Sequence, residues 1–216
     1  MRPRARTDEV ASISSPEFEW NLAGASESHR YLARPTVELL NRFGAKEVLD
    51  LGCGNGAFSG FLASRGFSVE GCDASASGLA IARESFPAMT FFQHDLANPL
   101  PSGHAGRYDA VVSLEVIEHL LLPRVLLNSA MQAMRPGGVF ILSAPFHGYW
   151  KNLALAVTNK FDDHWHPLRD YGHIKFFSRR TLLQLFDECG FAVKAFLPVG
   201  RMRLLACSMI VAAQKK

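Results

Sequence analysis

The sequence has few cysteines, and the four that it has form no C-x-x-C pair. They stand apart along the chain, at Cys53, Cys72, Cys189 and Cys207. Scattered cysteines of this kind are typical of reduced thiols, mostly buried, in a protein of a reducing compartment. We therefore expect a cytoplasmic protein without disulfide bonds.

Long apolar runs are also missing. The longest extends from Leu204 to Ala213 and is interrupted by Ser208, which makes it too short to cross a bilayer. The first residues do not have the pattern of a signal peptide. We therefore expect no transmembrane segment, and we interpret the apolar run as an inner strand of a sheet.

A dense basic stripe is absent too. The formal net charge of the 216 residues is +3 and the isoelectric point is about 8.7, which makes nucleic acid an unlikely partner. With 48% hydrophobic and 20% charged residues, the composition suits one compact α/β domain. Residues 1–15 lack apolar periodicity, and a short alternation at Phe18, Trp20 and Leu22 stops before residue 28. We expect a flexible N-terminal arm over residues 1–28, followed by one domain over residues 29–216.

The most informative segment is E-V-L-D-L-G-C-G-N-G-A-F-S, from Glu47 to Ser59. A short apolar strand leads into Gly52, Gly54 and Gly56, and a helix follows. Such a loop directs backbone N–H groups towards a ligand and lets the ligand approach bare backbone. Asp50 precedes the loop. A carboxylate there disfavours a phosphate and favours a ligand with a cationic group, such as S-adenosylmethionine (SAM).

Further acids follow the next strands. Asp73 ends the second predicted strand about 20 residues beyond the loop, where nucleotide-binding α/β folds place a carboxylate on ribose hydroxyls. Asp95 follows the third strand, with Leu96 beside it, and Glu115 follows the fourth, Tyr108–Leu114. Four strand–helix repeats predict a doubly wound parallel sheet, in which these acids converge at the carboxyl ends of the strands.

Residues 144–177 depart from this repeat and contain four of the eight histidines, two of the three tryptophans and two of the four tyrosines. We predict that they form a substrate lid; a hydrophobic flap or a contact in a homodimer is the alternative. Two later segments, Phe191–Leu197 and Leu204–Ala213, predict a closing antiparallel strand pair. His119 and His147 follow strand ends, and we predict them as candidate catalytic bases.

Together, V-L-D-L-G-C-G-N-G, Asp73, H-D-L at 94–96, E-V-I-E-H-L, M-R-P-G-G and the final strand pair resemble the class I SAM-dependent methyltransferases, over about residues 29–213. The branch with the ubiquinone-biosynthesis O-methyltransferases is the most similar. The resemblance implies a Rossmann-like, mostly parallel seven-stranded sheet and SAM as cofactor. It also implies the cofactor-binding residues Asp50, Gly52, Cys53, Gly54, Asn55, Asp73, Ala74, Asp95, Leu96 and Glu115.

Glu115, Glu118 and His119 raise the question of a metal. At spacings i, i+3 and i+4 they would share one face of a helix, and a similar E-x-x-E-H is associated with a divalent ion in small-RNA 2′-O-methyltransferases and some quinone methyltransferases. No fourth ligand is evident, so we do not favour a metal site.

The function expected from these observations is methyl transfer from SAM to a small-molecule acceptor, most plausibly at a hydroxyl oxygen. Three alternatives stay open: an RNA 2′-O-methyltransferase, an NAD-dependent oxidoreductase and a non-catalytic SAM-binding protein. The oxidoreductase has some support, because Gly52, Gly54 and Ala57 satisfy G-x-G-x-x-G/A.

Overall fold

A computed structural model of the chain describes residues 28–165, 168, 172–200 and 206–216. Most of the predicted N-terminal arm and part of the predicted lid lie outside the described residues, as do residues 201–205. Helices lie at His29–Arg42 (α1), Ala57–Ser64 (α2), Ala76–Ser85 (α3), Arg124–Ala133 (α4), Tyr149–Thr158 (α5), Phe161–Trp165 (α6) and Arg179–Glu188 (α7). Strands lie at Glu47–Leu51 (β1), Ser68–Asp73 (β2), Thr90–Gln93 (β3), Tyr108–Leu114 (β4), Met134–Pro145 (β5), Phe191–Val199 (β6) and Ser208–Lys215 (β7).

The strands form one seven-stranded sheet in the order β3-β2-β1-β4-β5-β7-β6. Strands β1 to β5 are parallel, whereas β7 pairs antiparallel with both β5 and β6. The predicted doubly wound, mostly parallel sheet with an antiparallel C-terminal pair is confirmed. The last apolar run forms the inner strand β7 over its described part.

The core has two layers because successive side chains of a strand point to opposite faces of the sheet. Leu49 of β1 belongs to the layer that packs α4 and α7 against the sheet, and its neighbour Val48 to the layer that packs α1 and α2. Two helices begin at serine residues whose side chains cap the helix N-terminus. Ser75 accepts a hydrogen bond from the Gly78 N–H, and Ser178 forms a capping box with Thr181.

Two local predictions were wrong. Proline followed by two glycines predicts a turn at M-R-P-G-G, but this segment is the start of β5, where the pairing with β4 shifts register between Tyr108 and Ala110. The expected helical face of E-V-I-E-H is also missing, since only a short 3₁₀ turn, Ile117–His119, follows β4. Glu115 precedes that turn with a left-handed backbone, at φ 56°.

The burial of the cysteines agrees only in part with the expectation that they are mostly buried. Cys53 and Cys72 are buried, Cys189 is half-buried and Cys207 is exposed. Within the described part of the chain, no helix combines the length and the apolar character that crossing a membrane requires.

Candidate active site

The glycine loop joins β1 to α2 and packs closely against the segment after β4. Gly52 has φ 87°, and a Cβ atom built on it would lie 2.6 Å from Cγ2 of Val116. Any side chain at this position would therefore strain the backbone and displace its neighbour. Glycine thus brings the loop backbone against the 115–116 segment.

Asp73 ties the loop to the end of β2. Its two carboxylate oxygens accept hydrogen bonds from the backbone N–H of Gly54 and of Ser75, each at 2.8 Å. A carboxylate oxygen has more than one lone pair, so Asp73 keeps acceptor capacity for a ligand. The acid is thereby held at the strand end, beside the loop.

Asp50 lies deeper, between β1 and α2, with an exposed fraction of 3%. The hydroxyl of Ser59 donates a hydrogen bond of 2.6 Å to it. Burial raises the pKa of Asp50 to about 7; the hydrogen bond from Ser59 opposes this shift and the nearby charge of Asp73 adds to it. Asp50 therefore exchanges a proton near neutral pH.

A cavity of about 140 Å³ opens at the carboxyl ends of β1, β2 and β3. The structure brings five of the predicted cofactor residues together there. The other five lining residues, Leu51, Cys72, His94, Val116 and Leu120, were not part of the prediction. The lining consists of Leu51, Gly52, Cys72, Asp73, Ala74, His94, Asp95, Leu96, Val116 and Leu120.

Of the other predicted cofactor residues, Cys53, Gly54 and Asn55 lie in the loop, outside this lining, and Glu115 lines a different cavity. Cys53 and Asn55 are buried, and the side-chain carbonyl of Asn55 accepts a hydrogen bond from the N–H of Ala57 at the start of α2. Gly54 contributes its N–H to Asp73. These residues therefore fix the conformation of the loop and do not form the wall of this cavity.

A second, larger cavity of about 400 Å³ lies on the other side of the 115–116 segment. Its lining residues come mainly from α1, α5, α6, the region after α6 and the strands β5 and β7. Both apolar and polar side chains form its walls. Its lining includes Tyr31, Glu115, Pro145, Lys151, Ala154, Leu155, Thr158, His164, His173, Cys207 and Ser208. Because Glu115 lines this cavity and Val116 the smaller one, the two cavities adjoin.

Glu115 sits at the centre of a polar network. Ser143 donates to one of its carboxylate oxygens at 2.8 Å and Ser208 to the other at 3.2 Å, while the hydroxyls of Ser208 and Tyr31 lie 3.3 Å apart. Burial raises the pKa of Glu115 to about 7, although the two serines and Lys151 favour the charged form. Sequence reasoning did not assign these serines or Lys151 to the site, because their contacts are long-range.

The two predicted bases lie elsewhere. His147 packs against Phe176, with ring centroids 5.1 Å apart, and neither ring nitrogen has a hydrogen-bond partner among the described residues. Burial, with a contribution from the Lys151 charge, lowers the pKa of His147 to about 4. His119 is exposed, and its Nδ1 lies 3.3 Å from the carbonyl oxygen of Gly172. Neither histidine lines a cavity, and their catalytic roles stay predictions.

A group of possible metal ligands lies next to the larger cavity. Glu118, His119 and His173 each place a ligand atom within 4.8 Å of the others. Glu118 is fully buried, and both of its carboxylate oxygens lack a hydrogen-bond partner in the described structure. Burial, followed by the charge of Glu115, raises the pKa of Glu118 well above its ordinary value. A buried carboxylate in this state fits a cation.

Comparison with known proteins gives the family. A family model described as a methyltransferase domain matches residues 25–195. The chain is 38% identical to a ubiquinone biosynthesis O-methyltransferase of Cronobacter sakazakii, over 66% of this chain and 60% of that protein. It is 31% identical to a probable SAM-dependent methyltransferase of Mycolicibacterium smegmatis, over 84% of this chain and 66% of that protein. The matches span 40–66% of the length of these curated relatives.

Solved structures agree on the fold. Magnesium protoporphyrin IX methyltransferase from Synechocystis, with bound S-adenosylhomocysteine, superposes with a TM-score of 0.65 at 21% identity, over 86% of this chain and 82% of that one. The methyltransferase domain of a bacterial Hen1 superposes with a TM-score of 0.64 at 23% identity, over 83% of this chain and 95% of that one. The chain belongs to the methyltransferase-domain family. This family agrees with the resemblance described above.

Proposed function

We propose that the protein transfers the methyl group of SAM to a hydroxyl oxygen of a small molecule. The observation that carries this proposal is the pair of adjoining cavities, which meet at Glu115 and Val116. One is walled by the glycine loop and the acids at the strand ends, and the other by mixed apolar and polar side chains. The relatives named as O-methyltransferases support an oxygen acceptor.

We assign the smaller cavity to the adenosyl end of SAM. Asp95 accepts from the adenine amino group, Leu96 packs on the ring, and Asp73 and Ala74 face the ribose. Gly52, Cys53, Gly54 and Asn55 shape the loop around the methionyl end. Asp50, hydrogen-bonded to Ser59 behind the loop, contributes negative charge below the cationic part of the donor.

The main task of the protein is to align the acceptor oxygen with the methyl group of SAM, because a sulfonium methyl group is already electrophilic. The acceptor oxygen attacks in line, so that the O–CH₃ bond forms as the S–CH₃ bond breaks and S-adenosylhomocysteine leaves. The hydroxyl proton passes to Glu115, whose pKa of about 7 suits a base near neutral pH. Tyr31, Ser143 and Ser208 hold this carboxylate in place, and orientation contributes several kcal/mol of barrier lowering.

We further propose that Glu118, His119 and His173 hold a divalent cation. Oxygen and imidazole ligands suit Mg²⁺ or a transition metal. Such an ion would supply positive charge that favours an ionised acceptor oxygen. This proposal departs from the sequence-based preference for no metal, and the unpartnered oxygens of Glu118 are the reason.

The test is a transfer assay with SAM labelled in its methyl group and small-molecule fractions of the source cell. We expect label in an organic extract, and we expect Glu115→Gln to abolish transfer while SAM affinity by calorimetry is kept. For the metal, manganese binding followed by electron spin resonance should be lost in Glu118→Gln. Manganese bound equally by both proteins would refute the metal assignment.

Other outcomes of the same assay decide between the alternatives. Label that disappears on nuclease treatment would favour RNA as acceptor, and binding of SAM without transfer to any fraction would favour a non-catalytic protein. Binding of NAD in place of SAM would contradict the donor. A homodimer and a cytoplasmic location stay predictions.

A further inference from the structure

Lys151 is the only lysine or arginine among the described residues that line the larger cavity. The residue lies in the first turn of α5 and is half-buried. Its ammonium group donates a hydrogen bond of 3.1 Å to the backbone carbonyl oxygen of Phe146, just after β5. An ammonium group has three N–H bonds, so Lys151 keeps donors for a molecule in the cavity.

The ammonium group of Lys151 has no carboxylate as its partner. Glu115 is the only acidic residue in the same lining, and its oxygens accept hydrogen bonds from Ser143 and Ser208. No carboxylate of the described residues lies within ion-pair distance of Lys151.

The titration of the two groups agrees with this geometry. Burial raises the pKa of Glu115 to about 7, and burial lowers the pKa of Lys151 below its ordinary value of 10.5. In a formed ion pair the attraction between the charges would shift both pKa values in the opposite directions. Each group therefore lacks a full counter-charge in the ligand-free cavity.

A ligand can supply the counter-charge that Lys151 lacks. Removing a charged group from water without a partner costs free energy, and an anion beside the ammonium group recovers part of that cost. One lysine supplies one positive charge. A carboxylate has one negative charge and matches it, whereas a phosphate monoester would bring a second negative charge close to Glu115.

The rest of the lining fits a compact organic acid. The cavity has a volume of about 400 Å³, which is within the range of pockets for small molecules. Pro145, Ala154 and Leu155 provide apolar contacts in the same wall. Leu155 lies one helical turn after Lys151, so α5 presents a charged and an apolar group on one face.

We propose that the methyl acceptor is a hydroxy acid whose carboxylate binds to the ammonium group of Lys151 while its hydroxyl faces Glu115. This inference rests on the proposed function and names the substrate class of the same site. The carboxylate is not methylated and leaves unchanged with the product. Lys151 is then the residue that selects an acid over a neutral alcohol or phenol of the same shape.

The first experiment measures binding without methyl transfer. Benzoate and benzamide are similar in shape and differ in charge, and titration of each into the full chain at neutral pH, followed by NMR spectroscopy, gives their affinities. We expect benzoate to bind about tenfold more tightly than benzamide. Lys151→Gln should remove this difference, because glutamine keeps a donor for the Phe146 carbonyl but has no charge.

Lys160→Gln is the matched control. It makes the same change at an exposed lysine just after α5, outside the cavity lining, and should bind benzoate as the unchanged protein does. Lys151→Arg keeps the positive charge and should keep the preference for benzoate. SAM affinity by calorimetry shows that each variant is folded.

The second experiment uses the transfer assay with labelled SAM. We expect the labelled product to be retained on an anion-exchange resin at neutral pH, because its carboxylate stays free. At low acceptor concentration, Lys151→Gln should lower the yield of this product about tenfold, whereas Lys160→Gln should leave it unchanged.

Three outcomes would overturn the inference. They are equal affinity of the unchanged protein for benzoate and benzamide, benzoate binding that Lys151→Gln does not weaken, and a labelled product that passes the resin uncharged. All three leave the proposed methyl transfer intact. If no fraction accepts label, the proposed function fails, and the benzoate titrations still decide whether Lys151 binds a carboxylate. If Lys151→Gln does not fold, loss of the preference for benzoate in Lys151→Arg would refute the role of the charge.

Discussion

The two cavities are built in opposite ways. Residues of the smaller one come from short turns at the ends of neighbouring parallel strands, within residues 51–120. Residues of the larger one come from the first helix, the inserted helix α5 and the last strand. The first cavity lies on a packed sheet, whereas one wall of the second is a helix without a buried residue. The proposed donor site therefore rests on packed scaffold, whereas the proposed acceptor site depends in part on a helix that is not packed into the core.

The first expected effect tests this difference in packing directly. Leu62 of α2 is fully buried, whereas Leu153 of α5 is 41% exposed. Leu62→Ala should lower the free energy of unfolding by about 3 kcal/mol, and Leu153→Ala by less than about 0.5 kcal/mol. Thermal unfolding followed by circular dichroism measures both. Equal losses would mean that α5 is packed as firmly as the sheet layers.

The next effect compares two residues of the proposed donor site, one hydrogen-bonded to the glycine loop and one exposed. Asp73→Ala removes an acceptor for the ribose and frees the Gly54 N–H that holds the loop, so SAM should bind about 100-fold more weakly, or about 2.7 kcal/mol. Asp95→Ala is the comparison. Asp95 is exposed, and its loss should cost about tenfold. Calorimetry with SAM measures both, and an unchanged affinity of Asp73→Ala would remove Asp73 from the donor site.

A further effect concerns pH. The pKa of Asp50 rises from 3.8 to about 7 in the fold, so its protonated form is favoured there. Stability from this group is therefore fully present below about pH 4 and is lost as the pH rises to about 7. Asp50→Asn keeps the neutral form and should be more stable than the unchanged protein at pH 8, by up to about 4 kcal/mol.

At pH 4 the same variant should gain little. Denaturant unfolding of the ligand-free protein at both pH values measures the difference. Glu115 should keep part of the pH dependence in the variant, because its pKa also rises to about 7. A gain that is equal at both pH values would show that Asp50 is not the titrating group.

The donor side could be predicted because its signals are local. The strand Tyr108–Leu114 has the predicted bounds, and Asp73 and Asp95 follow their strands and line one cavity, as the topology of a parallel sheet requires. Neighbouring strand ends meet wherever the sheet is parallel, so sequence spacing alone brings these acids together.

The acceptor side could not be predicted in the same way. Ser208 reaches Glu115 across 93 residues, and no local pattern marks such a contact. The spacing of Glu115, Glu118 and His119 is helical, yet Glu115 takes a left-handed backbone while its carboxylate accepts from two serines. Tertiary hydrogen bonds therefore outweighed local helical preference at this point.

The contact between Tyr31 and Ser208 joins the first helix to the last strand. Every residue that lines the smaller cavity lies within residues 51–120, whereas the larger cavity needs Tyr31 and Ser208, which are 177 residues apart in the sequence. The smaller cavity can therefore keep its shape on the first four strands alone. The larger one exists only while the first helix stays docked on the last strand, so local opening of α1 would dismantle it and spare the smaller cavity.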